Sequence, residues 1–180
     1  MGSGNGNEDE SMTYQEFNRE IVPLKDKLYR CALAILGNRM DAEDMLQDTY
    51  GKLWTLREKL DSLDNREAYA MRMVRNLCLD QLRAHRLHED KLEEVFNHRT
   101  EEGPGQQEDL KDMDAVVKRV IAQLPEKPRT VIHLRDVEGY EMDEIAAIVG
   151  DDPATVRVTL SRARKTVREK VINIMNYGLR

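Results

Sequence analysis

The chain has 180 residues, of which 40% are hydrophobic, 34% charged and 5% aromatic. Those proportions fit soluble helix-rich material, and no apolar run approaches the roughly 18 residues of a membrane span. The net charge of −6 is a sum of unlike parts: residues 1–11 carry −3, 12–88 carry +1, 89–112 carry −6 and 113–180 carry +2. The start, "MGSGNGNEDES", lacks the apolar centre of a signal peptide, and it predicts a disordered tail over 1–11. Cys31 and Cys78 sit in apolar helical patterns, which predicts buried reduced thiols and a cytosolic setting. The four histidines are scattered without metal-ligand spacing, so neither a metal nor a cofactor is predicted.

In chain order, a helix is predicted from about Thr13 to Leu36, broken or kinked at Pro23 and closed by Gly37-Asn38. Asp41 is the expected cap of a second helix running to about Leu56. Asp64 and Glu67 have capping-box spacing ahead of a helix to about His88. The stretch 89–112, with Gly103-Pro104-Gly105 and few apolar residues, has the composition of a flexible acidic linker. It divides two helical domains, 12–88 and 113–180. The second begins near Met113, passes Leu124-Pro125, enters "RTVIHLRDVEG" after Pro128, and continues through "MDEIAAIVG" and "DDP" into a long helix. The expected fold class is all-α, with two small helical domains.

That final helix breaks the charge pattern. "ATVRVTLSRARKTVREK" holds six cations and one acid within an acidic chain. A short helix, a turn at Gly150, then Asp152 as cap and Pro153 at the first helical position make a helix-turn-helix. At about 100° per residue, Val156, Leu160, Ala163, Val167 and Val171 form one stripe. Arg157, Ser161, Arg164 and Arg168 form a row beside it, with Lys165 close by. Dense phosphate charge and a groove that admits a helix make DNA the natural partner for such a row. A solvated basic face is the plain alternative for any lone charge run.

The stretch from Leu124 to Glu169, "LPEKPRTVIHLRDVEGYEMDEIAAIVGDDPATVRVTLSRARKTVRE", resembles the C-terminal domain of bacterial sigma factors of the extracytoplasmic function type. The resemblance implies that the last helix reads a −35 promoter element. By position, Arg157, Val158 and Ser161 would face base edges, while Thr155, Arg162, Arg164 and Lys165 would hold phosphates or pack nearby. "NRMDAEDMLQDTYGKLW" is similar to the family's polymerase-binding helix. It groups Asp44, Gln47 and Asp48 on a polar face suited to a basic partner surface. "AYAMRMVRNLCLDQLRAHR" resembles the promoter-melting helix, in which Tyr69, Arg72, Asn76 and Arg83 share a face. An aromatic, an amide and two cations suit unstacked single-stranded DNA. Relatives usually carry Trp where this chain has Tyr69. The preceding loop, especially Asp64 and Asn65, is a candidate for a flipped-base pocket, and Asp80 is read as a structural partner for an Arg.

The resemblance implies a non-catalytic specificity subunit. Its partners would be core RNA polymerase, promoter DNA and an anti-sigma factor that could hold it at the inner membrane face, with no small-molecule substrate. A polymerase-independent helix-turn-helix repressor remains an alternative. An enzyme would need a nucleophile with a base, a phosphate loop or paired carboxylates in a cleft, and none is legible. A protein-only adaptor leaves the basic row unexplained.

Overall fold

The computed structural model describes residues 12–93 and 113–177, and every regular element among them is helical. The Thr13 side chain and Glu16 form a reciprocal capping box that starts α1, Tyr14–Glu20. Pro23 sits in a short 3-10 turn, Val22–Leu24, which re-aims the chain into α2, Lys25–Leu36. α3, Arg39–Thr55, follows after two residues. Its cap is Asn38, whose side chain accepts from the Met40 and Asp41 amides at 2.8 and 3.4 Å. Asp41, expected as the cap, lies in the first turn instead. Asn38 therefore works at the start of the second helix, where the sequence pointed to the end of the first.

A short α4, Arg57–Asp61, leads to α5, Arg66–Glu93. Here too the cap moves, in this case by one residue, from Asp64 to Asn65. The Asn65 carboxamide accepts from the Ala68 amide at 2.8 Å, and Glu67 is drawn elsewhere rather than into a capping box with Asp64. α5 also runs five residues past the expected end at His88. "EDKLE" is acidic, but Glu, Lys and Leu are strong helix formers, so its composition does not stop a helix. The expected tail over 1–11 and the remainder of the expected linker, 94–112, lie outside the described residues.

The second half comprises α6, Met113–Ala122, and α7, Glu126–Ile132, followed by a π-turn, His133–Val137. α8, Met142–Val149, and α9, Pro153–Tyr177, complete it. Gly150, at φ 76°, makes the left-handed turn between α8 and α9 that a side chain would strain. The Asp152 side chain accepts from the Thr155 amide at 2.9 Å and caps α9 behind Pro153, as the sequence implies. Val156, Leu160, Ala163 and Val171 are buried and Val167 half-buried, so the apolar stripe of α9 is its core face.

A single buried cluster runs from Met12 and Phe17 through Leu28, Met71 and Val74 to Ile145, Val156 and Ala163. Each large side chain in it contributes roughly 1.5–3 kcal/mol by leaving water. The two halves are thus packed on one another, α2 against α7 and α5 against α8. Polar contacts seal this junction. Glu67 accepts from Lys27 Nζ at 2.6 Å and from the Tyr140 hydroxyl. Arg30 makes a fork to Glu138 at 2.7 and 2.8 Å, and Arg75 pairs with Glu126 at 3.4 Å. Arg129 donates to the carbonyls of Ile35, on one side, and Ala122, on the other, both at 3.0 Å.

Cys31 and Cys78 are buried, unbridged thiols, as expected. Burial pushes the Cys78 thiol up to about 12 and raises that of Cys31, so neither ionises readily.

Candidate nucleic-acid interface

The outer face of α9 is built by elimination. Its apolar stripe is fixed against α7 and α8, which turns the opposite residues to solvent. Arg157, Val158, Ser161, Arg162, Arg164, Lys165 and Arg168 are all exposed. Val158, 49% exposed, is an apolar contact in the middle of this polar row. Arg157, Arg162 and Arg168 pair with no described carboxylate. Lys165 lies 3.8 Å from Glu169, a loose pair one turn on.

Two members of the row are engaged within the chain. Thr155 donates its amide and hydroxyl to Asp152, which holds that carboxyl below its usual range. Arg164 forks onto Asp136 of the π-turn, its Nε donating to Oδ2 at 3.1 Å. Nothing in the local sequence flags this 28-residue separation; the wider π-turn aims Asp136 at α9.

On α5, Ala70, Val74 and Cys78 face the core. Tyr69, Arg72, Met73, Asn76 and Leu77 line a groove of about 400 Å3, closed on one side by Lys59. That volume lies in the range of small-ligand sites. Lys59 Nζ stands 5.3 Å from the centroid of the Tyr69 ring, a cation–π contact that orients the ring. Asn76 Oδ1 accepts from Arg75 at 3.2 Å. Lys59 was not singled out from the sequence, because it comes from α4 and reaches the groove only through the fold. Arg83 lies further along α5, outside the groove, 3.0 Å from Asp80, the structural pairing expected for that acid. Asn65 is exposed but spends its side-chain oxygen as the α5 cap and does not line the groove.

On α3, Ala42, Met45, Leu46, Thr49 and Leu53 are buried, which presents Asp44, Gln47 and Asp48 together on the exposed side. Thr49 is satisfied by donating to the Met45 carbonyl at 2.7 Å. Beside Gln47 runs a cleft of about 740 Å3, lined by Val22, Tyr29, Leu46 and Tyr50, where apolar wall and exposed acid meet.

Three surfaces therefore lie on one chain: the exposed basic face of α9, an aromatic–amide groove and the acidic face of the amphipathic α3. Residues 21–88 match the family model for sigma-70 region 2, and residues 115–167 match that for sigma-70 region 4. The RNA polymerase sigma-E factor of Streptomyces coelicolor is 32% identical over 87% of this chain and 86% of its own length. The chain belongs to the sigma-70 family, in its extracytoplasmic function branch. The ECF RNA polymerase sigma factor SigE of Mycolicibacterium smegmatis is 29% identical over 80% of this chain, which spans 57% of that longer protein. Among solved structures, the sigma factor RpoE of Bartonella quintana, crystallised with the anti-sigma factor NepR, superposes with a TM-score of 0.71 at 25% identity. The match covers 87% of this chain and 97% of that one. This sigma factor acts in transcription initiation. No described helix is long and apolar enough to cross a membrane.

Proposed function

We propose that this sigma factor works as a non-catalytic specificity subunit that divides promoter recognition between two surfaces. α9 reads a −35 element through Arg157, Val158 and Ser161, with Arg162 and Lys165 on phosphates. The α5 groove receives bases of a melted −10 element, stacked on Tyr69 and hydrogen-bonded by Asn76, with Arg72 and Lys59 near the backbone. Asp44, Gln47 and Asp48 dock on core polymerase, which supplies the nucleotidyl transfer. A cytoplasmic site of action and control by an anti-sigma factor complete the reading. The solved relative bound to NepR supports that partner class.

The observation that carries the reading is the groove, which assembles an aromatic face, an amide and two cations from α4 and α5 beside one another. Such a set recognises unstacked bases, with roughly 1–3 kcal/mol per stacked base. Elements at −35 and −10 are roughly 25 steps of about 3.4 Å apart, near 85 Å along a duplex. The Glu67–Tyr140 contact and the roughly 12 Å length of α8 hold the groove and α9 far closer than that. The junction between the halves must therefore part before both elements are engaged.

The test is run-off transcription with core polymerase on duplex and pre-melted promoter templates. Tyr69→Ala and Asn76→Ala are expected to depress transcription on duplex and to recover on the pre-melted template. Equal loss on both would remove the melting role from the groove.

A further inference from the structure

α3 carries an apolar side chain on its acidic face. Met40 is 72% exposed. At about 100° per residue it lies within about 40° of Asp44, Gln47 and Gly51, and diametrically opposite the fully buried Thr49. A single exposed hydrophobic is ordinary on a protein surface, so exposure alone says little. Gly51 adds an independent sign on the same line of the helix. A Cβ there would meet nothing of this chain within 4 Å, and the residue lies inside α3, so nothing internal calls for glycine. Glycine is nevertheless worse than alanine within a helix. A partner surface that comes close to the α3 backbone accounts for it, since glycine is the residue of close approach. Met40 and Gly51 stand about 16 Å apart along the helix, with Asp44, Gln47 and Asp48 between them.

Met40 also differs in reactivity from its neighbours on that face. A thioether is oxidised to the sulfoxide without first ionising, whereas a thiol reacts as its thiolate. Cys31 and Cys78 are buried and their thiols are held protonated, so they do not compete. Met12, Met45 and Met71 are buried. Met113 and Met175 are exposed, but they lie on α6 and α9 of the other half.

We propose that Met40 is an oxidative modification site within the polymerase-docking face, an apolar anchor when reduced and a lost contact when oxidised. The proposal rests on the reading of α3 as the docking helix. Reduced, the Met40 side chain is covered by an apolar part of the core polymerase surface, beside the cations that meet Asp44 and Asp48. The oxidant is a hydroperoxide. A sulfur lone pair attacks its terminal oxygen, and the S–O bond forms as the O–O bond breaks. The departing alkoxide or hydroxide takes the proton from the new S–OH group and leaves as alcohol or water. Sulfur gives up two electrons and the peroxide gains them. The sulfoxide is polar and no longer suits an apolar cover. Methionine sulfoxide reductases restore the thioether, so the step is reversible.

The experiment treats the full chain alone with hydrogen peroxide, removes the oxidant with catalase, and titrates the product into untreated core polymerase. Peptide mass mapping reads the oxygen added at Met40. Oxidation there is expected to weaken holoenzyme assembly about tenfold, the scale set by one buried Met side chain. Methionine sulfoxide reductase should reverse the loss. In Met40→Leu, treated and untreated chains should assemble alike, whatever affinity that variant starts from. Met40→Gln should resemble the oxidised chain and ignore peroxide, while Met175→Leu should keep the full response. A full peroxide response in Met40→Leu overturns the proposal. So does a Met40 that resists peroxide, or one fully oxidised with assembly unchanged. Asp48→Arg separates the proposal from the reading beneath it. If Asp48→Arg assembles like wild type, α3 is not the docking helix and both fall. If Asp48→Arg loses assembly while the oxidised chain keeps it, only the role of Met40 falls.

Discussion

The recognition helix and the domain junction are built from the same side chains, arginines and carboxylates, with opposite consequences. On α9, Arg157, Arg162 and Arg168 stand in solvent without an ion pair to a described acid. At the junction, Arg30 forks onto Glu138, whose side chain is 2% exposed, and Arg75 pairs with Glu126. An exposed, unmatched cation keeps its charge available for phosphate. A matched and buried one is bound to its own chain, where losing the partner is costly. Arg164 sits between the two cases: it belongs to the basic row by position and to the π-turn by its fork onto Asp136. The π-turn is the shared part. It sends Asp136 to the recognition helix and is followed at once by Glu138, which reaches the other half.

The comparison breaks most severely if a helix packed under both regions is hollowed out. Ile145 is fully buried on α8, which packs on α5 across the junction and on α9 below the recognition face. Ile145→Ala is expected to cost about 2–5 kcal/mol, read by urea unfolding, and to impair both regions together. A variant that lost DNA binding with unchanged stability would show that α8 does not couple them. Next in size is Glu138→Gln, which keeps the shape and removes the charge. About 1–2 kcal/mol of junction stability should be lost, since Arg30 is partly solvated and its half of the pair is screened. In small-angle scattering the full chain should expand, while base preference stays as it was. An unchanged radius would mean that apolar contact alone holds the halves.

Much of α9 was legible because its information is local. Val156 to Val171 repeat at helical spacing, Pro153 and Asp152 mark the start, and the basic row follows from the wheel. Asp44, Gln47 and Asp48 share an exposed face for the same reason. The capping of α3 and α5 was missed by a few residues at most, because Asn38 and Asp41, or Asp64 and Asn65, are all competent caps and only geometry chooses. The junction was not legible. Glu67 meets Tyr140 across 73 positions and Arg30 meets Glu138 across 108, and no periodicity encodes such a meeting. Lys59 in the groove and Asp136 beside Arg164 were invisible for the same reason, so two residues beside the candidate DNA surfaces emerge only from the fold.

On the reading proposed for α9, base readers and phosphate clamps can be separated by experiment. Arg157→Ala should cost roughly 1–3 kcal/mol on the cognate element and flatten the preference at one base pair. Asp136→Asn should do the reverse of a loss. It frees Arg164, so affinity for all sequences rises a few-fold and the salt dependence steepens by about one unit. Binding of the full chain to single-base promoter variants across a salt series reads both. Were Asp136→Asn to weaken binding instead, the fork would be positioning Arg164 for DNA rather than withholding it.

The smallest effect expected is a pH dependence that belongs to the junction alone. Burial lowers the pKa of His133, with Glu138 opposing and Arg30 reinforcing the shift. The folded chain therefore prefers neutral imidazole, while the unfolded chain titrates near 6.5. Between those two values the unfolded state binds more protons, so stability rises with pH there. The contribution is fully present above about 6.5 and is lost as pH falls through the unfolded value toward the folded one, with a slope of at most about 1.4 kcal/mol per pH unit. His133→Leu should flatten this component in urea unfolding measured from neutral to mildly acidic pH. Glu138→Gln should extend it to lower pH, because the carboxylate that favours the imidazolium is gone. A profile for Glu138→Gln that narrowed instead would mean that Glu138 is not the acid facing His133 in solution, and the junction would have to be rebuilt around a different pairing.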